Sequence, residues 1–380
     1  MKRNKEHLSM NNTKLKNNTM KRGIITIAVV AVLGFSALAQ KTKTENIILI
    51  TLDGMRWQEI FNGADSSLFK QQSHIKDGKL KEKYWREDVN ERRNVLLPFF
   101  WNTIAKEGQL YGNRKLNSFA NVTNNQLFSY PGYNELLTGA ADNERVHSNE
   151  KFYNPNTNVL EFINSQPAFK GKVAAFASWD VFPYIINDKR NGIPVNSGMM
   201  NATGSKLTEG EKLLNALNTS LPSLFGETRM DAPTFYFGFE YLKKAQPRVL
   251  YLSFDETDDF AHAGEYAAYL NSANYTDRWI SELWSYLQSN PTYKNKTTLI
   301  VTCDHGRGND SKSWKDHGQK VQESSQIWMA FLGPDTPALG EMKGNQVYQN
   351  QIAKIVAAFL GVNFISDKAI GDIISSAIKK

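Results

Sequence analysis

The sequence predicts an α/β fold, a three-layer α/β/α sandwich with a mainly parallel central sheet and lid-like inserted segments. Three observations predict it. Short apolar runs recur along the chain, as strands buried on both faces require. Amphipathic helical patterns fall between those runs, which is the order of a sheet with crossover helices. Three of the runs end in acidic or histidine-bearing loops, and the carboxyl ends of parallel strands are where such folds hold their sites.

Taken in order, NIILITLDG (46–54) is a strand running into an Asp-Gly loop, and LLPFFWNTIAKEG (96–108) has a helical period. FSYPGYNELLTG (128–139) sets a serine, an aromatic residue and a proline before a segment that reads as a helix. Ser129 is there either an N-cap or a nucleophile, and the stretch alone leaves both open. KVAAFAS (172–178), RVLYLSFDE (248–256), TTLIVTCDHG (297–306) and QIWMAFLG (326–333) share the character of the first strand. TFYFGFEYLKKA (234–245), YLNSANYTDRWISELWSYLQ (269–288) and VYQNQIAKIVAAFLG (347–361) read as helices. Residues 62–95 are polar and charged, and 185–232 are rich in Gly, Asn, Ser and Pro. Both fit insertions over one edge of the sheet. No internal repeat interrupts residues 40–380, which read as a single catalytic domain.

Residues 1–39 differ from the rest. A basic segment precedes the apolar run GIITIAVVAVLGFSALA (23–39), which ends in Ala-Leu-Ala. This is the pattern of a cleaved signal peptide, and it implies a periplasmic or secreted protein. A start at Met20 would give a leader of ordinary length. The competing reading is a retained anchor, for which the run is short and broken by Gly and Ser.

The leader changes the charge argument. The whole chain carries a formal +7, but residues 1–39 hold seven Lys/Arg and one Glu. Without them 38 basic residues face 37 acidic ones, a net of +1. That balance gives no footprint for nucleic acid or stable association with an acidic membrane. Oligomeric state leaves no mark in the sequence. The one cysteine, Cys303, excludes an intrachain disulfide and sits in an apolar strand pattern, where it reads as buried and inert.

Five of the six histidines lie beyond the leader, and His262, His305 and His317 each stand within four residues of an aspartate. Asp258 and His262 share a helix face. Asp304 and His305 are adjacent just past a strand. Alone, an Asp-Gly after a strand is usually a turn, DDFAH a solvated helix start, and DHG a common loop end. Their joint occurrence in strand-end loops argues for a site. Carboxylate and imidazole together suit Zn²⁺, with Mn²⁺ the other ion such donors accept. Asp53, Ser129, Asp258, His262, Asp304, His305 and His317 are too many for one tetrahedral ion and fit two, about 4 Å apart and sharing a substrate. His74 and His147 have no such company, and His74 reads as a surface residue.

With these motifs in this order, the chain resembles the alkaline phosphatase superfamily, in particular its nucleotide pyrophosphatase/phosphodiesterase and related phosphate-ester hydrolase branch. The resemblance runs from residue 46 to 318. It implies an alkaline phosphatase-like fold and a small-molecule phosphate ester as substrate. Asp53 of LITLDG matches the metal-binding aspartate after the first strand. Ser129 of SYPGYNELLTG matches the nucleophile before an aromatic-Pro pair. ETDDFAH matches the family's Glu-Pro-Asp-x-x-Gly-His element, which makes Asp258 and His262 ligands of one metal, joined by His317. Asp304 and His305 match the pair that binds the other metal, with Asp53 and Ser129.

The chain also departs from the family. Thr257 replaces the proline and Ala261 the glycine of that element, and neither change removes a ligand. Asn149 of HSN matches, across a gap, an asparagine that contacts a phosphoryl oxygen. Trp179 of ASWDVF stands where monoesterase relatives carry a lysine. Loss of that cation favours a diester or another monoanionic substrate. Tyr133 occupies the position where sulfatases require arginine. The resemblance therefore implies a two-zinc phosphodiesterase that forms a phosphoseryl intermediate. An alkaline phosphomonoesterase is the alternative, and a sulfatase-like hydrolase or a non-catalytic binding protein is less well matched.

Overall fold

NIILITL is buried at all seven positions, Asn46–Leu52, and everything else is arranged around it. In the computed structural model, which describes residues 42–74 and 76–379, this is strand β1. The others, in chain order, are β2 (Gln109–Tyr111), β3 (Ser118–Asn121), β4 (Val173–Ala177), β5 (Val195–Ser197), β6 (Val249–Phe254), β7 (Thr297–Thr302), β8 (Gln326–Ile327), β9 (Met329–Leu332), β10 (Gly340–Glu341) and β11 (Asn345–Tyr348). The large sheet has the order β10-β2-β9-β7-β1-β6-β4-β5, and β11-β3-β8 form a smaller one. β1 pairs in parallel with both β6 and β7, β4 with β6, and β5 with β4. β9 runs against the rest, antiparallel to β7 and to β2.

Helices cover both faces. Gly238, in the helix Asp231–Ala245, lies so close to the sheet that a Cβ there would stand 2.5 Å from Leu252 Cδ2. Tyr251, one residue earlier on β6, therefore points to the other face. There it meets Phe182 edge-on at 5.7 Å, and Phe182 in turn meets Tyr133 of the helix Ser129–Thr138. Burial of β1, β6 and β7 on both sides is the reason their sequences are continuous apolar runs. Truncating a core residue such as Leu49 to Ala would cost about 2–5 kcal/mol.

Several elements differ from the sequence reading. QIWMAFLG is split into β8 and β9 and runs antiparallel. The helix read over 96–108 starts only after Leu97, whose φ of −130° and ψ of 69° are not helical. Pro98 disfavours helical backbone at the residue before it. Residues 89–96 instead form a separate helix, and Phe100–Ile104 take a π turn within the second one. Residues 185–232 contain the helix Glu209–Ser220, and also β5, which joins the sheet. The pattern read as helix over 347–361 enters through β11, and its helix is Ile352–Phe359. The short strands β2, β3, β10 and β11 were not foreseen, because two to four residues give no readable period. The leader, with its alternative start at Met20, lies outside the described residues. Among the described residues no helix is long and apolar enough to cross a membrane.

One buried carboxyl ties distant parts together. Asp277, on the helix Tyr266–Ser289, accepts from Phe99 N at 2.8 Å and Phe100 N at 2.9 Å. It caps a helix that lacks its own side-chain cap. Burial pushes this carboxyl up to about 7, against the opposing pull of the two amides. A raised carboxyl contributes stability that is fully present below the unfolded value and is lost as pH climbs through the folded one. Across about pH 4 to 7 this residue should therefore erode stability, by at most about 4 kcal/mol. Thermal melts of wild type and Asp277→Asn over that range should show a shallower decline in the variant. Equal slopes would remove Asp277 as the cause.

Candidate functional site

Register brings the site together. Thr51 pairs with Thr302 and Leu52 with Phe254, so Asp53 lies level with Asp304 on one side and Asp255 on the other. Asp53 and Asp304 are buried. Thr257 Oγ1 donates to the Asp53 carbonyl at 2.5 Å, Tyr133 Oη donates to Asp53 Oδ2 at 2.9 Å, and Gly54 N donates to Asp304 Oδ1 at 3.1 Å. Gly54 has a left-handed φ of +57°, and a Cβ there would stand 2.7 Å from both Arg307 Nη1 and Asp258 Oδ1. Only glycine suits that turn.

His305 donates from Nδ1 to the Gly306 carbonyl at 2.8 Å. This turns Nε2 toward Asp53 Oδ1 (3.2 Å), Asp304 Oδ2 (3.5 Å) and Ser129 Oγ (3.4 Å). Fixing one ring nitrogen on a carbonyl leaves the other as a ligand atom. Burial opposes a charge on His305, but Asp304, Asp53 and Asp258 outweigh it and raise the imidazole to about 9. Burial, and then Asp53, push Asp304 well above the usual carboxylate range.

A second group adjoins the first. His262 Nε2 lies 3.1 Å from Asp258 Oδ2 and 2.9 Å from His317 Nε2, and His317 Nε2 lies 3.6 Å from Asp258 Oδ1. The His305 and His317 rings stack at 4.0 Å. Burial favours a neutral Asp258, yet Arg307, His317 and His262 prevail and hold it well below the usual range.

Ser129 is the first residue of its helix and not its cap, so the N-cap reading is corrected. Phe128 holds the cap position without a side-chain bond. Asn149 Oδ1 accepts from Tyr130 N at 3.0 Å in its place. Freed from capping, Ser129 Oγ stands 3.5 Å from Asp53 Oδ1. Gly132 lets the helix approach this closely, since a Cβ there would stand 2.5 Å from the Asp304 carbonyl oxygen.

Trp179 stands apart. It is half-buried against the core, and no hydrogen bond or ring contact joins it to the cluster among the described residues. A lysine does reach the neighbouring position, from a different loop. Lys151 pairs with Asp180 and, at 2.6 Å, with Glu227. His74 has an exposed ring 3.0 Å from Glu265 Oε1. Cys303 is buried.

Sequence reasoning missed Arg307, which pairs with Asp258 while its Nε donates to the Trp314 carbonyl at 2.9 Å. It also missed the hydrogen bonds of Tyr133 and Thr257 to Asp53. Arg307 follows His305 by two residues, but its partner Asp258 is 49 residues away in sequence, and no local pattern announces that pairing.

The donor set fits a divalent metal. Asp304 Oδ2 is buried with no hydrogen-bond partner, which a cation would remedy. Ligand atoms of Asp53, Asp304 and His305 lie within 4.8 Å of one another, as do those of Asp258, His305 and His317. Buried carboxylates with imidazoles are a zinc-type set.

The sequence model of the type I phosphodiesterase / nucleotide pyrophosphatase family matches residues 69–323, about two-thirds of the chain. No curated protein matches. Among solved structures, alkaline phosphatase PafA is similar at a TM-score of 0.58 and 11% identity, over 89% of this chain and 99% of that one. The lipoteichoic acid synthase LtaP from Listeria monocytogenes is similar at 0.57 and 12%, over 90% of this chain and 77% of that one. Ps i-CgsB is similar at 0.52 and 15%, over 85% and 73%. At these identities the three show the fold alone.

Stripping divalent metal with EDTA should lower the Tm by about 5–10 °C, and Zn²⁺ should restore it. Asp304→Asn should lose about one equivalent of bound divalent metal by elemental analysis. An unchanged melt and metal content would exclude this cluster as a metal site.

Proposed function

The chain belongs to the type I phosphodiesterase / nucleotide pyrophosphatase family and is a phosphoester hydrolase; we propose that it works through Ser129 as nucleophile, a two-zinc site and a phosphoseryl intermediate. The observation that carries this reading is the setting of Ser129 Oγ. It stands at the head of a ten-residue buried helix, 3.5 Å from Asp53 Oδ1 and 3.4 Å from His305 Nε2.

Asp53, Ser129, Asp304 and His305 would hold one ion, and Asp258, His262 and His317 the other. Bound zinc supplies an acidified serine hydroxyl and water, and neutralises charge on the departing oxygen. The chain's own groups do the rest. Ser129 Oγ attacks phosphorus in line, and the leaving oxygen departs on the opposite side. Water then opens the phosphoserine and frees the second product. Asn149 accepts from Tyr130 N through Oδ1, so its Nδ2 is the end available to donate to a non-bridging phosphoryl oxygen. The helix N-terminus adds its positive dipole end to the same place.

A diester is favoured over a monoester by the state of the nearby cations. Lys151 is held between Asp180 and Glu227, and Arg307 is taken by Asp258. Neither is free to meet the second negative charge of a dianionic phosphate. Trp179 remains a candidate contact for the leaving group. We propose export of the chain by its leader, with 40–380 as one catalytic domain.

Ser129→Ala should lower kcat at least ~10³-fold while both metals stay largely bound through the remaining aspartate and histidine ligands. Ordinary turnover in that variant would remove the serine from this role. On wild type, kcat/KM for bis-p-nitrophenyl phosphate should exceed that for p-nitrophenyl phosphate by about tenfold or more. The reverse order would make the protein a phosphomonoesterase.

A further inference from the structure

We propose that Glu135 is a positioning residue for both Ser129 and His317, a role that rests on the serine reading above. Glu135 lies almost two turns into the helix that begins at Ser129, and it is wholly buried. Its carboxylate reaches back along the helix and gathers four hydrogen bonds from the loop in front. Thr123 N donates at 2.8 and 2.9 Å to its two oxygens, Asn124 N at 2.7 Å and Asn124 Nδ2 at 2.9 Å. Asn124 extends the clamp, because its Oδ1 accepts from Gln126 N at 3.1 Å and Leu127 N at 2.9 Å.

The clamp holds an unfavourable backbone. Leu127 has a φ of +58°, a left-handed conformation that is strained for a bulky side chain. Such a turn persists only where its surroundings over-determine it. Two consequences follow for the site. Immediately after the turn, the Phe128 carbonyl accepts the first helical bond from Gly132 N at 3.0 Å, which fixes where Ser129 Oγ points. At the turn itself, the Leu127 carbonyl lies 3.4 Å from His317 Nδ1. That contact keeps the His317 proton on Nδ1 and aims Nε2 at Asp258 and His262. One strained residue thus sets a nucleophile on one side and an imidazole on the other, and Glu135 is what maintains it.

The chemistry requires a carboxylate. All three partner groups, Thr123 N, Asn124 N and Asn124 Nδ2, are donors, and a carboxylate only accepts. An amide of the same shape would bring its own NH₂ against a backbone N–H.

Glu135→Gln should lower kcat about 10–100-fold, the scale of a misplacement near 1 Å, with KM changed less than about threefold. It should also weaken the second zinc equivalent about tenfold in a competition titration, through the loosened His317. A merely structural role would lower the Tm and leave kcat and zinc affinity alone. Asn124→Ala, which keeps the carboxylate, should show the same pattern in milder form, and it decides the question if Glu135→Gln does not fold. Ser129→Ala is measured alongside. Wild-type kcat and zinc affinity in the clamp variants, beside an inactive Ser129→Ala, would overturn this proposal alone. Turnover surviving in Ser129→Ala would overturn the serine reading beneath it.

Discussion

Asp53 and Asp304 are buried at the ends of two adjacent strands, and Asp258 lies on the short helix Glu256–His262 that follows β6, the strand on the other side of β1. Taking carboxylates out of water costs several kcal/mol per ion unless opposite charge or donors replace the lost hydration. Much of the neighbourhood reads as a response to that cost. Tyr133 and Gly54 donate to the two buried aspartates, and Arg307 pairs with the third. The same carboxylates raise the His305 imidazole above its ordinary value, against the effect of its burial. These partners still leave one oxygen of Asp304 without a donor, and that residual deficit is what a divalent cation would meet.

The sheet makes this concentration of charge feasible. β7, β1 and β6 are parallel neighbours, so their carboxyl ends open at one level. The helix from Ser129 packs on the same end, and Gly132 removes the side chain that would hold it away from the Asp304 backbone. Rigid strands supply the acids, and a buried helix supplies the hydroxyl. Such scaffolding holds groups more firmly than loops do.

The central strands were legible because double-sided burial leaves no polar alternation to confuse with a helix. β1, β4, β6 and β7 were read to within a few residues. β9 was found, but its direction was not, since an apolar run is the same in either sense. The histidine and aspartate candidates were legible because their motifs cluster in strand-end loops. The supporting groups were not. Tyr133, Thr257 and Arg307 reach Asp53 or Asp258 through single contacts across many residues of sequence, and no local pattern marks such a contact. Glu135 looked like an ordinary helix residue, and its burial comes from tertiary packing alone. Trp179 stands at the motif position where relatives carry a lysine; the lysine near it here, Lys151, comes from another loop and is paired with Asp180 and Glu227.

The strand order also carries a consequence for how the chain comes into being. β1 is synthesised first, yet its partners begin at Val249 and Thr297. Through most of translation its apolar edge, NIILITL, has no neighbour to pair with. Unpaired apolar strands are templates for association between chains, and long-range parallel pairing is slow. The middle of the finished sheet is therefore the most vulnerable segment of the nascent chain. A holding factor, or delay of folding until the whole chain has emerged, would protect the strand that later anchors all the others.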